Sequence, residues 1–185
     1  LINTMSGKKQ AKAADEAGVT KDEQRIVLDH DFYLWDTPGM LWPRISIEQS
    51  GFNLAASGSI GRNAYDEELV ALELLLILQK HYAQNLNERY KLGMTLEQIR
   101  DMPDYELLEA IGRKRGCVMS GGRVNTQKAA EVVITDYRTH MLGRITLETP
   151  EEFEQWAAAA AIADAERAAK KEAIAAAKKK GVKRW

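Results

Sequence analysis

The sequence predicts a mixed fold in three consecutive parts: a short α/β segment over residues 1–43, an all-α region over 44–148 and one long helix over 149–185. Two short apolar runs flank a turn near the N-terminus. Apolar residues at helical spacing fill the middle, and an Ala- and Lys-rich stretch fills the C-terminal end. A chain of 185 residues can bury one moderate core or two small ones.

The N-terminal part contains two predicted strands, 25–29 and 32–35, joined by a turn, and residues 1–5 are predicted to end a helix. The second strand runs directly into Asp36, Thr37, Pro38 and Gly39. P-loop nucleotidases use a carboxylate at a strand end to hold Mg²⁺, and a following glycine lets a backbone N–H approach the γ-phosphate. The alternative interpretation of these four residues is an ordinary Pro-Gly turn after a strand.

Four helices are predicted in the middle part: 47–57, a second from a cap at Asn63 or Asp66 to about Tyr82, a third from Pro103 to just before Gly116, and a fourth from Asn125 to Gly143. The methionines and aromatic residues of these helices are predicted to pack in one apolar core. Tyr105 and Met141 belong to this predicted core set.

The last part carries every signal for a helix start, with a cap at Thr149, proline at position 150 and acids in the first turn. A helix over 150–180 has a length of roughly 45 Å at 1.5 Å per residue. Its end is basic through Lys170, Lys171, Lys178, Lys179, Lys180, Lys183 and Arg184. Contact with RNA phosphates and a frayed, solubilising tail both fit this composition.

Several stretches occur in the order typical of one protein family: L-I-N at 1–3, G-V-T at 18–20, D-T-P-G-M-L-W-P at 36–43, N-L-A-A-S-G at 53–58, E-A-I-G-R-K-R-G-C at 109–117, S-G-G at 120–122 and L-G-R-I-T-L-E at 142–148. In these stretches the chain resembles the circularly permuted ribosome-assembly GTPases of the YlqF/RbgA type. The resemblance implies that residues 1–43 are the C-terminal remnant of a P-loop α/β GTPase domain, that 44–148 form a helical RNA-binding domain, and that 149–185 add a C-terminal helix.

The resemblance also implies roles for single residues. Thr20 corresponds to the switch threonine that touches Mg²⁺ and the γ-phosphate, Asp36 to the carboxylate that holds Mg²⁺ through water, and Gly39 to the N–H donor for the γ-phosphate. GTP and Mg²⁺ are then the cofactors of the parent protein. The 185 residues contain neither a G-x-x-x-x-G-K-[ST] loop nor an N-K-x-D sequence. We therefore expect residues 1–185 alone to bind no nucleotide and show no GTPase activity, as the C-terminal part of a longer protein or the product of a truncated gene.

Charge is distributed unevenly along the chain. Residues 1–112 hold 11 Lys and Arg against 18 Asp and Glu, a net charge of −7, whereas residues 113–185 hold 15 against 9, a net charge of +6. A basic half suggests a polyanionic partner. The candidate RNA-binding residues are Arg113, Lys114, Arg115, Arg123 and Lys128. The alternative is that these cations only complement a helix dipole, but the resemblance implies contact with ribosomal RNA of the large-subunit precursor.

Other function classes find little support. The single Cys117 permits no internal disulfide and no His partner for it is evident, and His30, His81 and His140 are scattered. The apolar run 69–78 is too short for a membrane span, and no signal peptide is visible, so we expect a cytoplasmic protein. Three hypotheses remain: part of a ribosome-assembly GTPase acting on the 50S subunit, a stand-alone helical RNA-binding module without nucleotide binding, and a remnant or helical interaction protein with no RNA role.

Overall fold

In the computed structural model the described residues are 2–9, 22–39 and 44–181, with side chains described as far as 175. The strands are β1 (Gln24–Asp29) and β2 (Phe32–Asp36). The helices of the described residues are α1 (Ile2–Ser6), α2 (Glu48–Ala56), α3 (Glu67–Tyr90), α4 (Leu96–Asp101), α5 (Asp104–Lys114), α6 (Thr126–Arg138) and α7 (Pro150–Gly181). The chain divides into two compact units, one of Leu1–Trp42 with Phe52–Ile145 and one of Pro43–Gly51 with Thr146–Trp185.

The predicted hairpin is confirmed. β1 and β2 pair antiparallel, with Gln24 opposite Asp36 and Ile26 opposite Leu34, and an irregularity follows Val27 near the turn. This register places Asp36 at the end of the hairpin that lies away from the turn, where the chain leaves the sheet.

Helix α3 is the centre of the helical core, since it contacts α4, α5 and α6, and α5 also contacts α6. The side chains that fill this core are almost completely buried: Leu75, Leu78, Leu86, Ile99, Leu107, Leu108, Ile111, Val133 and Ile134. Most of them are leucine and isoleucine at the three- and four-residue spacing that had predicted the helices. The predicted cap Asp66 is confirmed, because its carboxylate accepts hydrogen bonds from the N–H groups of Glu68 (2.9 Å) and Leu69 (3.2 Å).

The predicted end of this helix near Tyr82 coincides with a break in α3, and the segment beyond the break was not predicted. Tyr82 has non-helical backbone angles (φ −133°, ψ 30°), but a further helical segment follows it and ends at Tyr90. The helix terminates there because Lys91 adopts the left-handed conformation (φ 51°) and its N–H bonds to the Asn87 carbonyl.

Helix α4 was missed by the sequence analysis, although Thr95 and Gln98 form a complete capping box at its start. Besides the packing of Ile99 in the core, one buried polar side chain of α3 holds it. The Gln79 amide donates hydrogen bonds to the carbonyls of Ile99 (2.8 Å) and Met102 (2.7 Å). A glutamine in the middle of a Leu-rich helix therefore fixes its neighbour from inside the core.

Two predicted core residues are wrong. Tyr105 is 58% exposed because it lies in the first turn of α5, before the buried residues of that helix begin at Leu107. Met141 is 52% exposed because α6 ends at Arg138, short of the predicted end at Gly143, so the helical spacing no longer applies to it. The helix starts at the predicted cap, where the Asn125 side chain accepts from the Lys128 N–H (3.0 Å).

The second unit contains α7, which has the predicted start and nearly the predicted length. Thr149 and Glu152 cap it reciprocally, with N–H to side-chain oxygen distances of 3.0 and 3.2 Å. Within the same unit, Arg44 forms an ion pair with Asp164 in the middle of α7. Hydrogen bonding from Ser46, and then from Arg44, lowers the pKa of the Asp164 carboxyl below its ordinary value.

Candidate functional sites

The first candidate site is the turn that follows β2. Asp36 is half-buried at the strand end, and Gly39 is exposed. Apart from its chain neighbours, no atom of the described residues lies within 4 Å of the position that a Cβ on Gly39 would occupy, so that part of the structure leaves space beside its backbone for a ligand. Thr20, the third predicted residue of this site, lies outside the described residues.

The Asp36 carboxylate of this turn fits one mode of Mg²⁺ binding, in which most ligands of the ion come from water and phosphate. Among the described residues, no three His, Cys, Asp or Glu side chains come together in a metal-binding group. Mg²⁺ is commonly bound through one or two carboxylates with the remaining ligands supplied by water and substrate phosphates. The Asp36 carboxylate suits a Mg²⁺ ion that arrives with a nucleotide rather than an all-protein metal cage.

The second candidate site is the corner where α5 ends and α6 begins. We call it the basic corner, and its residues are exposed in every case: Arg113, Lys114, Arg115, Arg123 and Lys128. The first three end α5 and the last lies in the first turn of α6.

Two contacts bring these cations together. The Arg113 guanidinium points toward the carbonyl of Gly122 in the connecting loop (3.5 Å), next to Arg123. Gly112 lies so close to the start of α6 that a Cβ on it would stand 3.1 Å from the Cβ of Ala129, which follows Lys128. The structure therefore brings together the end of α5, the connecting loop and the start of α6, which carry the predicted cations.

The positive charge of the basic corner is only slightly neutralised by the acidic residue next to it. Glu109 lies one helical turn before Arg113, and their charged atoms are 3.6 Å apart with both side chains about half exposed. An exposed pair of this kind is worth little, since solvent screens it. The chemistry open to such a corner is the binding of several phosphate groups at once.

Sequence reasoning missed two residues of this corner. Val118 and Met119 lie in the loop between α5 and α6 and are 45% and 42% exposed. The available signal was the Ser-Gly-Gly sequence that follows them, which predicts a turn. Apolar residues next to a turn lie outside the helices, so helical spacing gives no reason to expect them in the core. Cys117 next to them is fully buried, in agreement with a packing role rather than a catalytic one.

The basic end predicted for α7 is described only in part. Lys170 and Lys171 are exposed, while the side chains of Lys178, Lys179 and Lys180 and all of Lys183 and Arg184 lie outside the described residues. None of the helices in the described part of the chain combines the length and apolar character that crossing a bilayer requires.

Comparison with known proteins places these features in a family. The model of the family described as 50S ribosome-binding GTPase matches residues 1–104. The chain is 41% identical over 155 residues to ribosome biogenesis GTPase A of Priestia megaterium, covering 84% of this chain and 52% of that protein. It is 40% identical over 153 residues to the Bacillus cereus protein of the same name, covering 83% and 50% of the two chains.

A more distant relative, the probable ribosome biogenesis GTPase A of Mycoplasma genitalium, is 28% identical over 148 residues, covering 80% of this chain and 51% of that protein. The chain thus spans about half the length of the curated relatives it matches. The family match includes the D-T-P-G turn at 36–39, and the order of motifs agrees with it. The chain belongs to the 50S ribosome-binding GTPase family.

Proposed function

We propose that this chain is part of a GTP-dependent assembly factor for the large ribosomal subunit. In this proposal the turn after β2 senses GTP and Mg²⁺, and the basic corner binds ribosomal RNA of the subunit precursor. Nucleotide state then controls how the helical region docks. The observation that carries the RNA-binding half is the collection of five exposed cations at one rigid helix–loop–helix corner.

For the nucleotide half, we assign Thr20 and Asp36 to Mg²⁺ and Gly39 to the γ-phosphate. The family match over residues 1–104 includes all three positions. The open space beside Gly39 and the strand-end position of Asp36 support the assignment. The phosphate-binding loop of this family is absent from the 185 residues, so these residues supply only part of a nucleotide site.

For the domain organisation, we assign residues 1–43 to the GTPase domain, 44–148 to the RNA-binding region and 149–185 to an accessory helix. The hairpin ends at Asp36, and every element of the described residues after it is helical. A two-stranded sheet is not stable by itself, which supports its being one piece of a larger sheet.

Salt dependence of RNA binding tests the second half of the proposal. Each phosphate contact lowers the slope of log K against log salt by about 0.9 for a duplex. Arg113→Ala with Arg115→Ala should therefore reduce the magnitude of the slope by about 2 and weaken binding roughly 60-fold at 0.1 M salt. The matched control, Arg62→Ala with Arg100→Ala, removes two exposed cations outside the basic corner and should change affinity little. Equal losses in both variants would refute the assignment.

The native protein tests the first half. Its intact mass in the source organism should exceed the 20.7 kDa of this chain, and its additional sequence should contain a P-loop. Asp36→Asn in that protein should then weaken Mg²⁺-dependent GTP binding. A native mass of 20.7 kDa would overturn the GTPase proposal and leave the stand-alone RNA-binding module, which the basic corner could support by itself.

A further inference from the structure

The loop between α5 and α6 presents apolar side chains in the middle of a basic surface. Val118 and Met119 are 45% and 42% exposed, and all five cations of the basic corner lie within nine residues of Met119 in the sequence. Single exposed apolar residues are common on protein surfaces. Two adjacent ones between cations in the sequence are not explained by packing or by solubility, and the loop holds them in a fixed arrangement.

Backbone hydrogen bonds fix this loop at both ends. The Cys117 N–H donates to the Gly112 carbonyl (2.8 Å), which attaches the start of the loop to α5. The Asn125 N–H donates to the Cys117 carbonyl (2.8 Å), which attaches its end to its start. Between them, the Met119 N–H donates to the Arg123 carbonyl (2.8 Å). The tip is therefore a small closed hairpin rather than a free loop.

Pairing in this hairpin determines where Met119 lies. Val118 and Val124 form an antiparallel bridge, so Met119 and Arg123 are the next opposite pair. Successive residues of an extended strand point to opposite faces. Val124 faces α5, because its Cγ1 would stand 2.5 Å from a Cβ on Gly112. Met119 and Arg123 consequently share the opposite face, which points away from α5.

Two glycines close the hairpin at positions where other residues would be strained. Gly121 and Gly122 have φ values of +89° and +79°. The Gly122 N–H donates to the Met119 carbonyl (3.1 Å), so this turn holds the methionine directly. Because the tip is ordered before binding, presenting Met119 to a ligand costs little further conformational entropy.

We propose that Met119 contacts an unstacked base of the RNA while the basic corner holds the flanking phosphates, so that the preferred ligand carries a bulged or looped-out nucleotide. This inference rests on the proposed RNA binding. Cations that contact phosphates position an RNA but read no sequence or base. In a regular A-form helix the bases are stacked and the major groove is too narrow for side chains, so a protruding thioether finds contact only where a base is splayed out. Methionine is one of the apolar side chains that act as wedges at unstacked steps.

The test compares two RNA hairpins of equal length and charge, one with a fully paired stem and one with a single-nucleotide bulge. Affinity is measured by fluorescence anisotropy over a range of salt concentrations. A base that stacks on an aromatic side chain gains roughly 5- to 150-fold in affinity. Because the methionine side chain offers a smaller contact than an aromatic ring, we expect the unmodified chain to prefer the bulged RNA by about 10-fold, near the lower end of that range. Met119→Ala should abolish that preference, lower affinity for the paired stem by less than about 2-fold, and leave the salt slope unchanged.

Control variants separate this inference from the proposed function. Met141→Ala removes a comparably exposed methionine outside the loop and should leave the preference intact. Met119→Leu keeps an apolar side chain and should retain the preference, whereas the nearly unchanged binding of the paired stem by Met119→Ala shows that this variant is folded. The double variant Arg113→Ala with Arg115→Ala should lower the affinity for both RNAs by the same factor.

Each outcome of these binding measurements supports or contradicts the role of Met119. Equal binding of both RNAs by the unmodified chain, or a preference that survives in Met119→Ala, would overturn the role of Met119 and leave the RNA-binding proposal standing. Absence of salt-dependent binding to either RNA would overturn both.

Discussion

Replacing Gly112 with alanine tests how closely α5 and α6 approach at the basic corner. A Cβ at this position would lie 2.5 Å from Cγ1 of Val124 and 3.1 Å from Cβ of Ala129. Carbon atoms in contact normally lie about 3.5–4.0 Å apart. The Val124 side chain can relieve part of the overlap only by leaving a preferred rotamer, and Ala129 has no rotatable bond with which to move. The two helices must therefore separate by several tenths of an ångström.

Two opposing effects set the expected magnitude. Alanine is favoured over glycine inside a helix by about 1 kcal/mol. Overpacking a closely packed site costs typically about 1–3 kcal/mol. We therefore expect Gly112→Ala to lower the free energy of unfolding by about 1 kcal/mol, which corresponds to about 2–4 °C in the thermal midpoint of a chain of this size. Helix propensity alone predicts the opposite sign, so the direction of the change distinguishes the two.

Urea and thermal denaturation followed by far-UV circular dichroism provide the measurement, and a double-mutant cycle locates the cause. In a Val124→Ala background the nearest obstacle is gone and only the 3.1 Å approach to Ala129 remains, so adding Gly112→Ala should cost clearly less than it does in the unmodified chain. The control is Gly61→Ala, since Gly61 has ordinary backbone angles (φ −65°, ψ 143°) and no atom within 4 Å of the new Cβ. A stabilising effect of Gly112→Ala in both backgrounds would refute the close approach of α5 and α6.

Two further predictions concern ionic contacts. Arg89 binds both oxygens of the Asp136 carboxylate at 3.0 and 2.7 Å, and Asp136 is 5% exposed. Arg89→Ala should destabilise the chain by about 3 kcal/mol because it leaves a buried carboxylate unpaired, whereas Arg89→Met with Asp136→Leu should cost far less in the same urea titration. For Asp164, carboxyl ¹³C shifts should titrate below the range of an ordinary aspartate, because Ser46 and Arg44 stabilise the ionised form. A lowered folded-state pKa adds stability that is complete above the unfolded pKa and is lost as the pH falls through the folded one. Arg44→Ala should move the titration of Asp164 upward, and an unchanged titration would contradict the pairing.

Local signals in the sequence were sufficient for the elements that are determined locally. The caps Asp66, Asn125 and Thr149 start the helices that they predicted, since each supplies a side-chain oxygen to N–H groups of the next turn. The hairpin was also predictable, because two short apolar runs, 26–28 and 32–35, are separated only by the polar turn 29–31.

Features that depend on contacts between distant residues were not predictable in this way. Gln79 looks like a surface residue in the sequence, yet its amide fixes α4 through two carbonyls twenty or more residues away. The continuation of α3 past Tyr82 depends on the same core, since the residues beyond it, such as Leu86, are buried among helices that the sequence does not reveal as neighbours. A helix end set by a single Lys91 in the left-handed conformation has equally little sequence signal.

The basic corner and its loop likewise combine features that the sequence predicts with features that only the structure shows. Consecutive cations at 113–115 are visible in the sequence, and their predicted meeting with Arg123 and Lys128 follows from a short loop between two helices. The exposure and direction of Met119 are not visible, because they depend on the pairing of Val118 with Val124 and on the position of α5 behind it. The positions that carry charge were predictable, whereas the position proposed to discriminate between RNAs required the structure.

Gly112 consequently affects both the packing of α5 against α6 and the proposed recognition of RNA. Its missing side chain allows Val124 to pack against α5, and its carbonyl accepts the hydrogen bond that anchors Cys117 at the start of the loop. A substitution that pushes the loop outward would shift Met119 relative to the cations at the end of α5, although it removes neither charge nor apolar surface. Gly112→Ala should therefore reduce the preference for a bulged RNA more than it reduces binding to a paired stem. The opposite pattern, an equal loss for both RNAs, would mean that the cations rather than the loop depend on this glycine.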